Sequence, residues 1–376
     1  MIFFLPYGIG DTLMAVPALR RLITARGCDC VTVVVASPVH SQILQMLVHP
    51  GIRTLERRNG KLFADIRLFF LMLASRSRVI VAPMASSSLM TKIFLMLMFR
   101  KTYVPRSFAK RSFLFIRKTP FLLKDGRAHQ VDFYVQFLVF IDPLIEGGAV
   151  SPAELGHSGY RIDKLTAEAR GRKSIVIGLS CGVAERHKIP RPTVFASLVN
   201  EIASRAKIEV TVIGNHDDRP LIEEFRCALA PDVPIVEIVD KPVEKLIDEL
   251  KIFDLGISGT TGQGHMMAAA QIPMLVLSGV TSPHESGPFV RRAAILRHSF
   301  ACGPCYQTEF KWGCKTLRCM DLLDIEQGSR MALRLLQDSQ FGIDWFTEYK
   351  KRIIVEVEQI KELHTKPVAR WSMTGE

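Results

Sequence analysis

Residues 258–283 read SGTTGQGHMMAAAQIPMLVLSGVTSP. A loop of small residues opens an Ala-rich helix, which passes through Ile272-Pro273 into an apolar strand and a second glycine turn. A helix followed directly by such a strand is the alternation from which parallel α/β sheets are assembled. Glycines let a backbone approach a ligand closely. A helix N-terminus presents unpaired N–H groups and partial positive charge, which suits phosphate. His265 falls in the first turn of this helix, where its ring can face the same ligand. The stretch therefore predicts a phosphate-bearing ligand in the C-terminal half.

Outward from there, the same alternation repeats. Apolar strands are expected at 174–179, 208–213, 234–238, 255–258 and 274–277, with helices around 192–206, 217–229, 242–251 and 265–270. The N-terminal half has strands at 2–6, 31–36 and 79–81 between helical stretches. The segment Asp142–Arg161, with its Pro, Gly, Ser and His residues, breaks the pattern between the halves. The reading is an α/β chain with two Rossmann-like domains whose parallel sheets face across a cleft. The domains are placed at 1–160 and 161–340, with a helix and tail at 341–376. Ligands in such sheets bind at the carboxyl ends of the strands.

With 376 residues, 48% hydrophobic and 23% charged, the chain has room and composition for two globular domains. The start, MIFFLPYGIGD, lacks a basic n-region and a small-residue cleavage site and reads as a strand. No apolar run reaches the roughly 18 residues that a membrane span requires. These features predict a cytoplasmic protein, so the eight cysteines read as thiols or metal ligands in place of disulfides.

The formal charge of +12 is concentrated. Between Arg53 and Arg127 stand 17 Lys and Arg against three acids, Glu56, Asp65 and Asp125. Basic and apolar residues interleave from Lys92 to Lys118, KIFLMLMFRKTYVPRSFAKRSFLFIRK. One reading is a solvated basic face. The other is contact with an anionic glycolipid at the inner-membrane surface. No RNP, zinc-finger or homeodomain pattern accompanies the basic residues, so nucleic acid is not expected as a partner.

The N-terminal half opens on a strand followed by Gly8-Ile9-Gly10-Asp11-Thr12. The third glycine of a dinucleotide fingerprint is missing, and the second strand ends in Ser37-Pro38 where a ribose-binding acid would stand. Asp11 follows the strand and faces the expected cleft. It reads either as a helix cap or as a general base taking a proton from an acceptor hydroxyl.

GIGDTLMAVPALRRL (8–22) resembles the opening of glycosyltransferase family 9, the ADP-heptose:lipopolysaccharide heptosyltransferases. The 258–283 stretch is similar to that family's DTGxxHxAAAxxxPxxxxFGxT signature. GLSCGVAERHKIP (178–190) resembles its lysine-bearing loop, with Lys188 at the lysine. VTVIGNHDD (210–218) is similar to its next strand and turn, and CGPCYQTEFKWGCKTLRCM (302–320) to its cysteine-rich segment. The resemblance implies a GT-B fold and an inverting glycosyltransferase moving a heptose-like sugar from a nucleotide donor, ADP-heptose, to a lipopolysaccharide core or other anionic glycan. It implies Asp11 as catalytic base and Lys188 beside the donor phosphates. It implies donor contacts from Gly10, Thr12, Thr260, Thr261, Gly262 and His265. The chain has no Asp-x-Asp pair, so no cofactor is expected for catalysis: lysine and helix dipole replace a metal at the leaving diphosphate.

The sequence departs from the family pattern at three places. Thr260 stands where the family keeps Asp, Gln263-Gly264 where it keeps Pro-Met, and Ile189 where it keeps Trp. A degenerate, non-catalytic nucleotide-sugar or glycan-binding relative is the alternative that Thr260 suggests. Cys302, Cys305, Cys314 and Cys319 supply four thiols in 18 residues. That is enough for a tetrahedral structural zinc or iron ion, or simply a set of free thiols.

Overall fold

A computed structural model of the chain describes residues 1–57, 68, 70, 79–83, 101–105, 116–118, 129–156, 171–298, 300, 302–305, 314 and 316–343. Most of the basic interleaved segment and most of the helix and tail expected at 341–376 lie outside the described residues.

The N-terminal lobe begins with β1 (Ile2–Leu5), α1 (Ile9–Met14), α2 (Val16–Arg26), β2 (Thr32–Val35), α3 (Pro38–Leu47) and β3 (Arg53–Glu56). It continues through β4 (Val79–Val81), β5 (Lys101–Val104), β6 (Ile116–Lys118) and α4 (Gln130–Ile141). The C-terminal lobe runs β7 (Lys173–Gly178), α5 (Pro192–Ala203), β8 (Ile208–Gly214), α6 (Arg219–Ala228), β9 (Ile235–Val239), α7 (Val243–Leu250) and β10 (Leu255–Gly259). It closes with α8 (Gly262–Ala269), β11 (Met274–Ser278), α9 (Pro283–Ser286), β12 (Ala293–Arg297), α10 (Arg318–Asp321) and α11 (Ile325–Gln337).

Among the described residues both sheets have six strands, and every pairing is parallel. Their orders are β3-β2-β1-β4-β5-β6 and β12-β11-β10-β7-β8-β9. These are one topology used twice: in each lobe the first strand and the fourth lie side by side at the centre. That pair is the switch point where chain connections leave in opposite directions and open a crevice. Such sheets are covered on both faces, so their central strands read as unbroken apolar runs. Phe3, Phe4 and Leu5 of β1, and Ile175, Val176 and Ile177 of β7, are all buried.

The core is not confined to the lobes. One apolar cluster extends from β1, α1 and α2 through Tyr134 and Phe137 of α4 to Met266, Met267, Ala268 and Ala269 of α8. Burying side chains of this size contributes about 1.5–3 kcal/mol each. The two methionines are packing residues, as their flexible thioethers suit them to be. Arg20 on α2 donates to the carbonyls of Leu47 (2.5 Å), Glu154 (2.6 Å) and Gly156 (3.1 Å), tying the end of the N-terminal lobe back onto itself.

Among the described residues, no helix is long and apolar enough to cross a membrane. The helix expected at 265–270 begins earlier, at Gly262. Two glycines in its first turn hide it from a reading based on propensity.

Candidate functional site

The site is assembled at the two switch points. In the N-terminal lobe, β1 ends at Leu5 and the chain turns through Tyr7 and Gly8 into α1. Gly8 caps this helix, and Asp11 sits at its third position. The Gly8 N–H donates to Asp11 Oδ2 at 3.2 Å, so one carboxylate oxygen serves the helix end. The other, Oδ1, accepts from Gln130 Nε2 at 2.7 Å. Asp11 is only half-buried, so the cap and the cleft share it. Thr12 is fully buried, and its hydroxyl turns back onto the Gly8 carbonyl at 3.4 Å. It holds the loop's shape from behind.

In the C-terminal lobe, β10 runs into Thr260-Thr261 and then α8. Thr261 caps the helix, its Oγ1 accepting from the Gly264 N–H at 3.4 Å. The Thr260 hydroxyl bonds the Thr281 hydroxyl in the loop after β11. Both threonines are buried, so this point holds a neutral hydroxyl pair. Gln263 spans the sheet edge: Oε1 accepts from the Ser180 N–H (2.9 Å) and Nε2 donates to the Ile213 carbonyl (3.1 Å). This residue joins the ends of β7, β8 and β10, a role with no signal in the sequence.

A turn of 3-10 helix, Val183–Lys188, follows β7 and brings Lys188 over the same loop. Lys188 is mostly buried, and its ammonium donates to Glu185 Oε1 at 2.6 Å. Its charge reaches His265. Burial first, and then Lys188, lower the His265 pKa to about 4, so the imidazole is neutral. His265 is 3% exposed, and among the described residues its Nδ1 has no hydrogen-bond partner. An orphaned buried polar atom costs about 1–3 kcal/mol, which the surrounding packing must offset.

The two helix starts meet. A Cβ placed on Gly10 would stand 2.6 Å from the His265 ring carbon Cδ2, closer than real Cβ contacts come. Only glycine permits this approach. Gly262 of α8 faces Ile9 of α1 across the same seam. Gly10, Asp11, Lys188, Thr260, Thr261, Gly262 and His265 are therefore brought to one interlobe region, although the His265 ring is spent largely on the seam. A second histidine joins from α4: His129 caps that helix and pairs through Nε2 with the Gly287 carbonyl of the other lobe at 3.0 Å. Burial lowers its pKa to about 3.

Neither a protein-family model nor a curated protein matches the sequence. Solved structures do match in fold. A glycosyltransferase family 9 structure from Veillonella parvula superposes with a TM-score of 0.62 at 16% identity, over 89% of this chain and 97% of that one. The E. coli ADP-heptose lps heptosyltransferase II gives 0.60 at 14% identity, over 90% and 99%. The iron-containing dodecameric glycosyltransferase TibC of enterotoxigenic E. coli gives 0.52 at 13%, over 90% and 76%. The chain has the GT-B fold. In GT-B terms, the seam between α1 and α8 lies where the two Rossmann-like lobes face each other.

Of the four C-terminal cysteines, Cys305 and Cys319 pack with Val280 and Met320 of the C-terminal lobe. Among the described residues none of the four is in a disulfide; Cys305 and Cys319 are buried, Cys302 and Cys314 exposed. Burial pushes the Cys319 thiol up to about 11, with Cys305, Cys314 and Cys302 each adding to the rise. Backbone N–H groups of Leu317 and Thr316 instead lower Cys314. Among the described residues no group of three or more His, Cys, Asp or Glu side chains is placed to hold a metal ion. Cys319 and Met320 press directly on Gly279: a Cβ there would be 2.8 Å and 2.5 Å from their sulfur atoms. The cluster thereby backs the loop that carries Thr281.

Proposed function

We propose that this chain is an inverting glycosyltransferase that moves a heptose-like sugar from ADP-heptose to a hydroxyl of a lipopolysaccharide-core or other anionic glycan. The observation that carries the reading is the seam itself. A half-exposed carboxylate, Asp11, lies one residue from Gly10, which touches the first turn of a phosphate-suited helix, with Lys188 beside it. The fold is shared with structures described as heptosyltransferases, one of them solved with ADP. Asp11 takes the proton as the acceptor oxygen forms its bond to the anomeric carbon. The bond from that carbon to the donor phosphate breaks, and the electron pair leaves on the nucleotide diphosphate. The N–H groups at the start of α8 and the Lys188 ammonium offset that charge.

Asp11→Ala tests this. With ADP-heptose and a heptose-deficient lipopolysaccharide core, ADP release should fall about 10²- to 10⁴-fold, while saturation-transfer NMR still detects donor binding. Unchanged ADP release would sink the assignment of the base. A non-catalytic nucleotide-sugar-binding protein is the second reading, favoured by the neutral Thr260–Thr281 pair; it predicts donor binding without turnover in the unaltered chain.

Two further parts of the proposal concern regions beyond the seam. The basic N-terminal segment contacts the anionic inner-membrane surface on the cytoplasmic side. Binding to anionic vesicles should then weaken with salt, because charges are screened within about 10 Å at 0.1 M. The four cysteines would be the residues to hold a structural zinc or iron ion, a reading that rests on their spacing in the sequence, since the described geometry gathers no three of them at one point; elemental analysis of the purified chain with no bound metal would remove it.

A further inference from the structure

The first turn of α4 reaches both halves of the seam. His129, fully buried, pairs with the Gly287 carbonyl of the C-terminal lobe. The next residue, Gln130, is also buried, and its side-chain Nε2 donates to Asp11 Oδ1 at 2.7 Å and to Tyr134 Oη at 2.7 Å. Tyr134 is one helical turn further along α4 and has no exposed surface, so its hydroxyl is a fixed point. One amide nitrogen thus links an immobile phenol to the carboxylate, on a helix whose first residues are pinned to the opposite lobe.

The groups turned toward Asp11 come from four elements. Tyr7 lies at the end of β1, His40 on α3, Tyr134 on α4, and His265 on α8 lies across Gly10. Burial, with Asp11 nearby, pushes both phenols up, and burial holds His40 down. All are neutral at pH 7. Cations stand in the same region, Arg57 acting on Tyr7 and Lys188 on His265, and two amide groups donate to the carboxylate, the Gly8 N–H and Gln130 Nε2. Hydrogen bonds of this kind favour the ionised form and fix its direction.

We propose that Gln130 is the positioning residue for Asp11, holding Oδ1 so that the carboxylate is presented ionised and aimed into the seam, with His129 fixing the helix end against the donor-side lobe. This rests on Asp11 being the base. An amide suits the task because it donates without adding charge. Lysine would compete with the acceptor proton for the carboxylate, and a carboxyl would repel it.

The test uses the full chain, ADP-heptose and heptose-deficient lipopolysaccharide core, reading kcat, KM for the donor, the pH profile and the melting temperature. Gln130→Leu should lower kcat about tenfold or more, leave the donor KM unchanged and move the acid limb of kcat/KM upward. Gln130→Glu, which keeps the side chain's shape, should move that limb upward by about one pH unit or more through carboxylate–carboxylate repulsion. In an Asp11→Ala background, Gln130→Leu should cost nothing further. Three results would overturn the inference: an acid limb unmoved in Gln130→Glu, an unchanged kcat in Gln130→Leu, or a loss in the Asp11→Ala background as large as in the unaltered one. If Asp11→Ala itself retains full turnover, the base assignment has failed and takes this inference with it. If Asp11→Ala is inactive and the Gln130 variants are normal, only the inference fails.

Discussion

The two glycine loops that meet at the seam solve opposite problems with the same architecture. Each follows a central strand of a parallel sheet and opens a helix. The N-terminal loop, 8–12, keeps a half-exposed charge and spends its hydrogen bonds on holding it. The C-terminal loop, 258–265, keeps no ionised side chain of its own: Ser258, Thr260, Thr261 and His265 are all buried and neutral. A charge near water is cheap to keep, and dipoles and a neutral ring tolerate burial. Under the proposed function, the difference suits one loop to exchange a proton and the other to receive charge from outside. The cation that complements it, Lys188, is supplied by a separate turn.

That contrast can be broken by experiment. Lys188→Ala should remove the cation that acts on the neutral loop and lower turnover about 10²- to 10³-fold, chiefly in kcat. Glu185→Gln, which releases the lysine from its ion pair, should change turnover far less. A Lys188→Ala enzyme with normal kcat would mean that the dipoles of α8 suffice alone. Next in size, Gly10→Ala forces a methyl group into the His265 ring. It should cost about 1–3 kcal/mol and lower the melting temperature by several degrees. Adding His265→Ala should recover most of that loss; additive losses would show that the contact is not the cause.

The smallest expected effect is on pH. His265 and His129 are held neutral by burial, with folded pKa values of about 4 and about 3. Unfolded, both would take protons near pH 6.5. Between roughly pH 6.5 and 4 the unfolded chain binds protons that the folded chain refuses. Stability is therefore full above that window and is lost as pH falls through it. Melting temperature measured from pH 7 to 4 should decline, and His265→Gln should flatten part of the decline. A variant profile parallel to that of the unaltered chain would mean that His265 takes no part.

Much of the fold was legible because parallel strands buried on both faces write themselves as apolar runs. Strands β7 to β11 fall within a residue or two of their expected positions. The loops were legible for a different reason: glycines and small hydroxyl residues at strand ends have few structural uses. What sequence could not give was partnership. Gln130 serves Asp11 from 119 residues away, and His129 serves Gly287 from 158. Such pairs leave no local period or spacing, and a His-Gln at a helix start reads as a cap and nothing more. Gln263 was read only as a departure from a pattern, yet it stitches three strand ends together. The start of α8 was missed by three residues because glycine, poor in helices generally, is placed there for closeness between lobes.

The contact between Gly10 and the His265 ring has a mechanical meaning. A bare backbone lies against the ring, and among the described residues the imidazole Nδ1 has no hydrogen-bond partner. At this point the lobes meet through backbone and ring, while the polar latch at His129 and Gly287 sits to one side. Any side chain at position 10 would act as a wedge between them.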